Sequence, residues 1–363
     1  MGLTCGIVGL PNSGKTTLFN AFTASRADRA IYPFSTTEAS EAKVAVPDAR
    51  LETIHRFIET ERIVPAAVDV VDIPGLVPGA STGKGLGNKF LGHIKECDAI
   101  LHVVRCFKRP EVVREGPVDP GNDMQELDLE LALADLDTVT RALERVSKKA
   151  RSGDKQAQAE QAVFARAKEL LAEGTQLRTL PWKKPELEAL RPLFLITLKP
   201  VLYVANIDQD DLAGGSAWAA QVRAHAEATG AEWIELCGDL ECELVNMEPA
   251  DRAEFQRELG IPELGMPRLI RATYHLLGLQ TFFTAGPKEI RAWTIHKGDT
   301  GPVAAGVIHT DFEKGYVRAE VYSVEDLVAY HSEAAIKAAG KLRVEGRDYV
   351  MREGDVAHFL VSR

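Results

Sequence analysis

Lys15 and Thr16 end the octapeptide Gly9-Leu10-Pro11-Asn12-Ser13-Gly14-Lys15-Thr16, which satisfies G-x-x-x-x-G-K-[ST] at every fixed position. A lysine and a hydroxyl behind a glycine-rich turn suit a polyphosphate. The loop's backbone N–H groups face an anion, Lys15 reaches the outer phosphates, and the Thr16 hydroxyl can ligate Mg²⁺. Asn12, Ser13, Gly14, Lys15, Thr16 and Thr17 are accordingly the candidate phosphate-binding residues.

Two later stretches follow in the order a nucleotide switch requires. Tyr32-Pro33-Phe34-Ser35-Thr36-Thr37 is a polar segment beyond the first helix, and Thr36 is its candidate for the Mg²⁺ and γ-phosphate contact, with Thr37 next. The apolar run from Ala67 to Val71 ends in Asp72-Ile73-Pro74-Gly75. An aspartate at a strand end can hold the Mg²⁺ shell, and a glycine three residues on can turn its N–H to the γ-phosphate. Lys15, Thr36 and Gly75 are thus the catalytic candidates, and Thr16, Thr36 and Asp72 the metal candidates. Leu76 stands where Ras-type GTPases place the glutamine that orients attacking water, so either another group positions the water or turnover is slow.

The base is addressed at Asn206-Ile207-Asp208-Gln209, after a buried-looking strand. GTPases commonly have Asn-Lys-x-Asp here, the aspartate reading the guanine edge. With Asn206 matched, the lysine becomes Ile207 and the aspartate becomes Gln209. Loss of that carboxylate removes the charge-assisted discrimination in favour of guanine. A one-residue slip would instead bring Asp208 to the base. The next strand ends in Gly238-Asp239-Leu240, where such folds bring a second loop over the base, which makes Gly238 a candidate.

The flanking patterns describe the scaffold these residues need. Cys5-Gly6-Ile7-Val8 reads as a strand entering the loop, and Leu18, Phe19 and Phe22 as the apolar face of the helix leaving it. Further strands at Ala99 to Val104, Leu198 to Asn206 and Glu232 to Cys237 alternate with helical patterns, which implies a mostly parallel α/β sheet. His102 lies within such a strand and reads as a packing residue. From about Asp123, Leu129, Leu133, Leu136, Leu143 and Val146 recur at helical spacing, Ser152-Gly153-Asp154 interrupts, and Ala159, Val163, Ala167 and Leu170 resume. That is an antiparallel helical hairpin inserted into the nucleotide domain. Near its tip Arg141, Arg145, Lys148, Lys149, Arg151 and Lys155 outnumber Glu144 and Asp154, which describes either a solvated tip or a contact for RNA phosphates.

At Leu279 the composition shifts to a small α+β module. It has a strand at Ile290 to Ile295, a helix at Val303 to Ile308, a strand at Tyr316 to Val321 and a terminal hairpin turning at Glu353-Gly354-Asp355. Lacking a catalytic constellation, it reads as a binding platform. The domain reading is therefore 1–122 with 186–278 for the nucleotide domain, 123–185 for the helical insertion and 279–363 for the last module.

Bulk composition narrows the classes. A chain of 363 residues with 45% hydrophobic and 26% charged residues has material for two or three soluble domains. Its net charge of -10 argues against coating nucleic acid by charge alone, so no specific DNA sequence is expected as a partner, while a local basic surface stays open. Five scattered cysteines with no C-x-x-C pair indicate neither a disulfide framework nor a zinc site. The N-terminal apolar residues read as a strand rather than a signal peptide, and no apolar run is long enough to span a bilayer, which points to a cytoplasmic protein.

Taken together, the chain resembles the YchF-type Obg-like ATPases within the translation-factor-related P-loop GTPases. The resemblance rests on the phosphate loop, Tyr32-Pro33-Phe34-Ser35-Thr36, Asp72-Ile73-Pro74-Gly75-Leu76-Val77, Gly85-Leu86-Gly87-Asn88-Lys89-Phe90-Leu91 and His102-Val103-Val104-Arg105-Cys106-Phe107. It continues through Glu130-Leu131-Ala132-Leu133-Ala134-Asp135-Leu136, Leu279-Gln280-Thr281-Phe282-Phe283-Thr284-Ala285-Gly286 and His309-Thr310-Asp311-Phe312-Glu313-Lys314-Gly315, so it covers essentially the whole chain. It implies a Ras-like nucleotide domain, a coiled-coil insertion and a C-terminal TGS domain of β-grasp form. It further implies a preference for ATP, cytoplasmic location and association with ribosomes or ribosomal RNA. Asn206 and Ile207 would cradle adenine, and Asn12 matches the asparagine that related GTPases use to hold K⁺. Leu76 matches the hydrophobic substitution for the catalytic glutamine. Relatives read His-Val-x-Gly-x-Val-[Asp/Asn]-Pro where this chain has Val113-Arg114-Glu115-Gly116-Pro117-Val118-Asp119-Pro120, so a mechanism using that histidine does not transfer. The alternatives are a GTPase of the same architecture and a nucleotide-gated RNA- or ribosome-binding module with negligible hydrolysis.

Overall fold

Residues 3–24, 41–73, 86–108 and 117–362 are described by the computed structural model. Thr36, Gly75 and Leu76 lie outside them. In chain order the elements are β1 (Thr4–Val8), α1 (Lys15–Ala24), β2 (Glu41–Ala45), α2 (Ala49–His55), β3 (Ile63–Val64), β4 (Ala67–Asp72), α3 (Leu86–Glu96) and β5 (Ala99–Cys106). Next come α4 (Pro120–Ala150), α5 (Lys155–Ala172), α6 (Lys184–Leu190), β6 (Val201–Ile207), α7 (Ala217–Thr229), β7 (Glu232–Leu236), α8 (Gly238–Val245), α9 (Pro249–Glu258) and α10 (Gly265–Leu276). The last are β8 (Leu279–Ala285), β9 (Ile290–His296), α11 (Gly301–Ile308), α12 (Thr310–Gly315), β10 (Tyr316–Ser323), α13 (Val324–Tyr330), α14 (Glu333–Ala338), β11 (Arg343–Glu345) and β12 (Asp355–Val361).

A six-stranded sheet in the order β2-β4-β1-β5-β6-β7 carries the glycine loop. β1 runs parallel to β4 and β5, β5 to β6, and β6 to β7. Every residue of β5 and β6 is buried, as expected of central parallel strands covered on both faces. Ile7 stands opposite Asp72, Val8 opposite His102 and Cys106 opposite Ile207. This register brings the carboxyl ends of β1, β4, β5 and β6 to one sheet edge, the edge at which α/β folds bind ligands. Val8, Ile73, Ile94, Ile100, Tyr203 and Val222 are in the core beneath it. His102 is buried with its ring 5.2 Å from that of Tyr203, in the packing role its strand context indicates.

α4 and α5 form the inserted antiparallel hairpin. Pro120 at the start of α4 needs no N–H there, and the Asp119 carboxylate accepts from Asn122 N. Asp154 caps α5 by accepting from Gln156 N and Ala157 N. Their seam is built mainly from small and β-branched residues, with one aromatic and one leucine: Val139, Val146 and Ala150 against Ala157, Phe164, Ala167 and Leu171. Leu129, expected on the seam, is 51% exposed. The buried stripe runs through Leu127, Leu131 and Asp135, and two residues beyond Leu127 is a turn of about 200°, which points Leu129 outward.

Packing separates the chain into two compact units, one built on Asp69–Leu269 and the other on Lys43–Val68 with Ile270–Arg363. Residues 43–68 fall in the sequence-derived nucleotide domain, yet β3 pairs in parallel with β9 through Ile63 opposite Ile290. The second sheet runs β11-β10-β12-β8-β9-β3. Phe282, Ile295, Ala305, Tyr316, Val321 and Phe359 form its core. The expected terminal hairpin is not observed, because only its second half is a strand. β12 pairs antiparallel with β10 and parallel with β8. The intended first half is held elsewhere: Thr281 N donates to the Glu353 carboxylate, and Arg352 N donates to Asp355 in a tight turn where Gly354 has φ +85°.

All five cysteines are free, and no helix among the described residues is long and apolar enough to cross a membrane.

Candidate nucleotide site

The loop between β1 and α1 owes its shape to close approach. A Cβ on Gly9 would sit 2.4 Å from the Val103 carbonyl oxygen, and one on Gly14 would sit 2.1 Å from Asn206 Nδ2. Gly14 also has φ +93°, a region open to glycine at little cost, and Asn12 takes φ 64°. The first turn of α1 closes through Leu18 N to the Gly14 carbonyl at 3.0 Å. Lys15 is buried, and its Nζ donates to the Leu10 carbonyl at 2.8 Å. Burial brings its pKa down to about 8, against an opposing attraction from Asp72.

Asn206 ties the far side of the site to this loop. Its Nδ2 donates to the Ser13 carbonyl at 3.1 Å, and its Oδ1 accepts from Gly238 N at 2.9 Å. Both ends of the amide are thereby used in bracing the phosphate loop against the start of α8. Gly238 has little room for a side chain, since a Cβ there would approach Asn206 Oδ1 to 3.2 Å. Ile207 is 2% exposed, so its side chain belongs to the sheet core and only its backbone borders the site. Asp208 accepts from Lys108 N at 2.9 Å, which fixes it to the chain leaving β5. Cys242 Sγ donates to the Thr17 carbonyl, a further link between α8 and α1.

Two adjoining cavities lie along this edge. One, of about 240 Å³, is lined by Asn12, Gly14, Lys15, Thr16, Thr17, Phe107, Asn206 and Asp239. The other, of about 540 Å³, is lined by Lys108, Asp208, Gln209, Trp218, Asp239 and Leu240 among others, and Asp239 borders both. Phosphate loop and base segment are therefore brought together as the motifs require. Sequence reasoning did not single out Phe107, Lys108 or Trp218. Phe107 offers an aromatic wall, backed by the Arg105 guanidinium 4.9 Å from its ring centroid. Its position just past a buried parallel strand was the signal available.

Two polar atoms here are buried with no hydrogen-bond partner, Ser13 Oγ and Asp72 Oδ1. Burial raises the Asp72 pKa while the Lys15 charge lowers it. A carboxylate oxygen left unsatisfied within the field of the Lys15 charge suits a Mg²⁺–phosphate ligand, so Asp72 fits the metal role, while Thr16 lines the smaller cavity. Among the described residues no group of three or more His, Cys, Asp or Glu is arranged to hold a metal by itself, so phosphate oxygens and water would have to complete the shell.

Comparison with known proteins follows this geometry. Residues 4–148 match a family described as 50S ribosome-binding GTPase, and residues 279–362 match the YchF-GTPase C-terminal family, described as a protein of unknown function (DUF933). The chain is 47% identical to the Escherichia coli O157:H7 ribosome-binding ATPase YchF over 100% of both chains. It is 45% identical to the Bacillus subtilis protein of that name over 99% of each, and 40% identical to Gallus gallus Obg-like ATPase 1 over 98% of this chain and 92% of that one. The solved Schizosaccharomyces pombe YchF GTPase superposes with a TM-score of 0.90 at 38% identity, covering 99% of this chain and 98% of that one.

Proposed function

The chain belongs to the YchF family, and we propose that it is a cytoplasmic, ribosome-binding switch that hydrolyses ATP slowly to ADP and phosphate. The observation that carries the choice of nucleotide is the base end of the site. Ile207 is buried in the core where a GTPase has its lysine, and Gln209 stands where it has the guanine-reading aspartate. Without a carboxylate at position 209 the site lacks the group that a GTPase uses to bond the guanine edge, which favours adenine. The partner is supported by the relatives' names, which state ribosome binding.

In this reading Lys15 leaves the Leu10 carbonyl for the outer phosphates, and Ser13 and Thr16 turn their hydroxyls to the phosphate–metal cluster. Thr16 and Asp72 would hold Mg²⁺, which would supply positive charge to the phosphates. Thr36 and Gly75 would read the terminal phosphate, and Asn12 would hold K⁺. The α4–α5 hairpin and the C-terminal TGS-type module act as docking elements. With Leu76 in the water-positioning place, intrinsic turnover is on the order of 10⁻³ to 10⁻² s⁻¹.

One observation favours a second reading. Asp208 lines the larger cavity, so a shifted register would give guanine a carboxylate after all. Titration of ATP and GTP against the purified protein, with and without ribosomes, decides. Tighter ATP binding with ribosome-dependent turnover is expected, and a GTP preference would overturn the ATPase reading.

A further inference from the structure

A cavity of about 340 Å³ is lined wholly by residues of the C-terminal module. Its base is the face of β10 and β12 turned away from that module's core. Ala319, Val321 and Phe359 belong to the core, so the alternate residues Glu320, Tyr322 and His358 face the other way, with Glu320 opposite His358 and Tyr322 opposite Val356. Val356 is 2% exposed and gives the cavity an apolar floor. The α14 helix forms one wall and brings Glu333 and Lys337 to it. Ile336 is fully buried and the Ser332 hydroxyl accepts from Ala335 N, so this short helix is held in place.

Charges of both signs border this cavity without meeting. Glu333 and Lys337 stand four residues apart on α14, acid before base, the order and spacing at which an ion pair is favoured. Glu333 is instead engaged by Tyr322, whose hydroxyl donates to its Oε1 at 2.7 Å from a ring that is 4% exposed. Glu320, Lys337 and His358 line the same space, and among the described residues their side chains make no hydrogen bond or ion pair. Solvated surface charges alone would be free to close on one another, whereas the Tyr322 bond holds Glu333 back from Lys337. Separated charges of both signs over an apolar floor suit a small zwitterion.

We propose that this cavity binds a free aliphatic α-amino acid, its ammonium between the Glu320 and Glu333 carboxylates, its carboxylate on Lys337 and its side chain over Val356. Two carboxylates against one lysine call for an ammonium and disfavour a dicarboxylate or a phosphate. A peptide terminus carries only one of the two charges, so it would leave either Lys337 or the carboxylates unanswered. The volume lies at the small end of ligand cavities, as an amino acid requires.

The test is calorimetric titration of the full chain with L-leucine and with two analogues that each lack one charge, isocaproate and isoamylamine. Leucine should bind with Kd on the order of 0.1 mM, and each analogue about tenfold or more weakly. Lys337→Gln should weaken leucine by about tenfold without weakening isoamylamine, and Glu320→Gln should weaken leucine by about tenfold without weakening isocaproate. Ala334→Phe fills the cavity from an exposed helix position and should abolish leucine binding. ATP affinity, turnover and thermal midpoint of the three variants without leucine should match the parent, so this test and that of the ATPase reading fail separately. No leucine binding by the parent up to about 10 mM overturns the proposal. So does leucine binding no tighter than isoamylamine, or unaltered leucine affinity in Ala334→Phe or Lys337→Gln.

Discussion

The ammonium of Lys15 is hydrogen-bonded to the carbonyl of Leu10 at 2.8 Å, so the residue meant for phosphate is satisfied by its own loop. Its pKa is depressed to about 8, chiefly by burial, which means that the unfolded chain binds the extra proton between pH 8 and about 10.5. Burial of the charge thus lowers stability fully below pH 8, and the penalty fades as pH rises through that window. Lys15→Met should raise the unfolding free energy of the nucleotide-free protein at pH 7, read from urea titration, by about 2 kcal/mol, and the gain should shrink at pH 9.5. The same variant should lose ATP binding. Retained binding would remove Lys15 from the phosphate site.

Asn206 joins Ser13 to Gly238, so its removal should loosen both halves of the site together. Asn206→Ala leaves the buried Gly238 N–H unsatisfied and should cost about 2 kcal/mol in unfolding, with a loss of ATP affinity of about tenfold or more. Gly14→Ala should be worse, because its Cβ meets the Asn206 amide and its φ of +93° is unsuited to alanine. Calorimetric titration of both variants checks the order.

The difference between Gly14 and Asn206 shows what was legible in the sequence. Gly14 belongs to a contiguous pattern whose geometry is local, and the structure closes that loop as the pattern requires. Asn206 was legible as a residue at the base-side segment, whereas its bracing role depends on a partner 193 positions away. The same limit applies to β3, whose pairing with β9 spans more than 220 residues and leaves no local trace. Leu129 misled because a leucine at helical spacing does not reveal which of two faces is buried. The terminal hairpin misled because the Glu353 carboxylate is committed to Thr281, far earlier in the chain.

Base preference should respond to position 209. Gln209→Asp restores the carboxylate of the guanine-reading motif on an exposed turn, so it should cost the fold little. The GTP-to-ATP affinity ratio should rise by about tenfold, corresponding to one charge-assisted hydrogen bond. An unchanged ratio would shift attention to Asp208, already fixed by Lys108 N.

Exchange of K⁺ for Na⁺ addresses Asn12, which holds a left-handed backbone at φ 64° in the phosphate loop. A cation held there supplies positive charge to the transition state, so turnover should fall by about tenfold in Na⁺ while ATP affinity changes little. Equal rates in the two salts would withdraw the K⁺ role. The readout is phosphate release at matched ionic strength.

His102 gives the acid limb of stability. It is buried against Tyr203, and desolvation lowers its pKa to about 4, despite a nearby Asp128 that acts in the opposite direction. The unfolded chain takes up a proton near pH 6.5, whereas the folded one resists until about pH 4, so stability present at neutral pH drains away as pH falls through that interval. Between pH 7 and pH 5 the loss from this group is about 2 kcal/mol. His102→Phe keeps an aromatic ring in the strand and removes the titration. Urea unfolding at the two pH values should therefore show a smaller pH-dependent loss for the variant than for the parent, and equal losses would place the acid sensitivity on other groups.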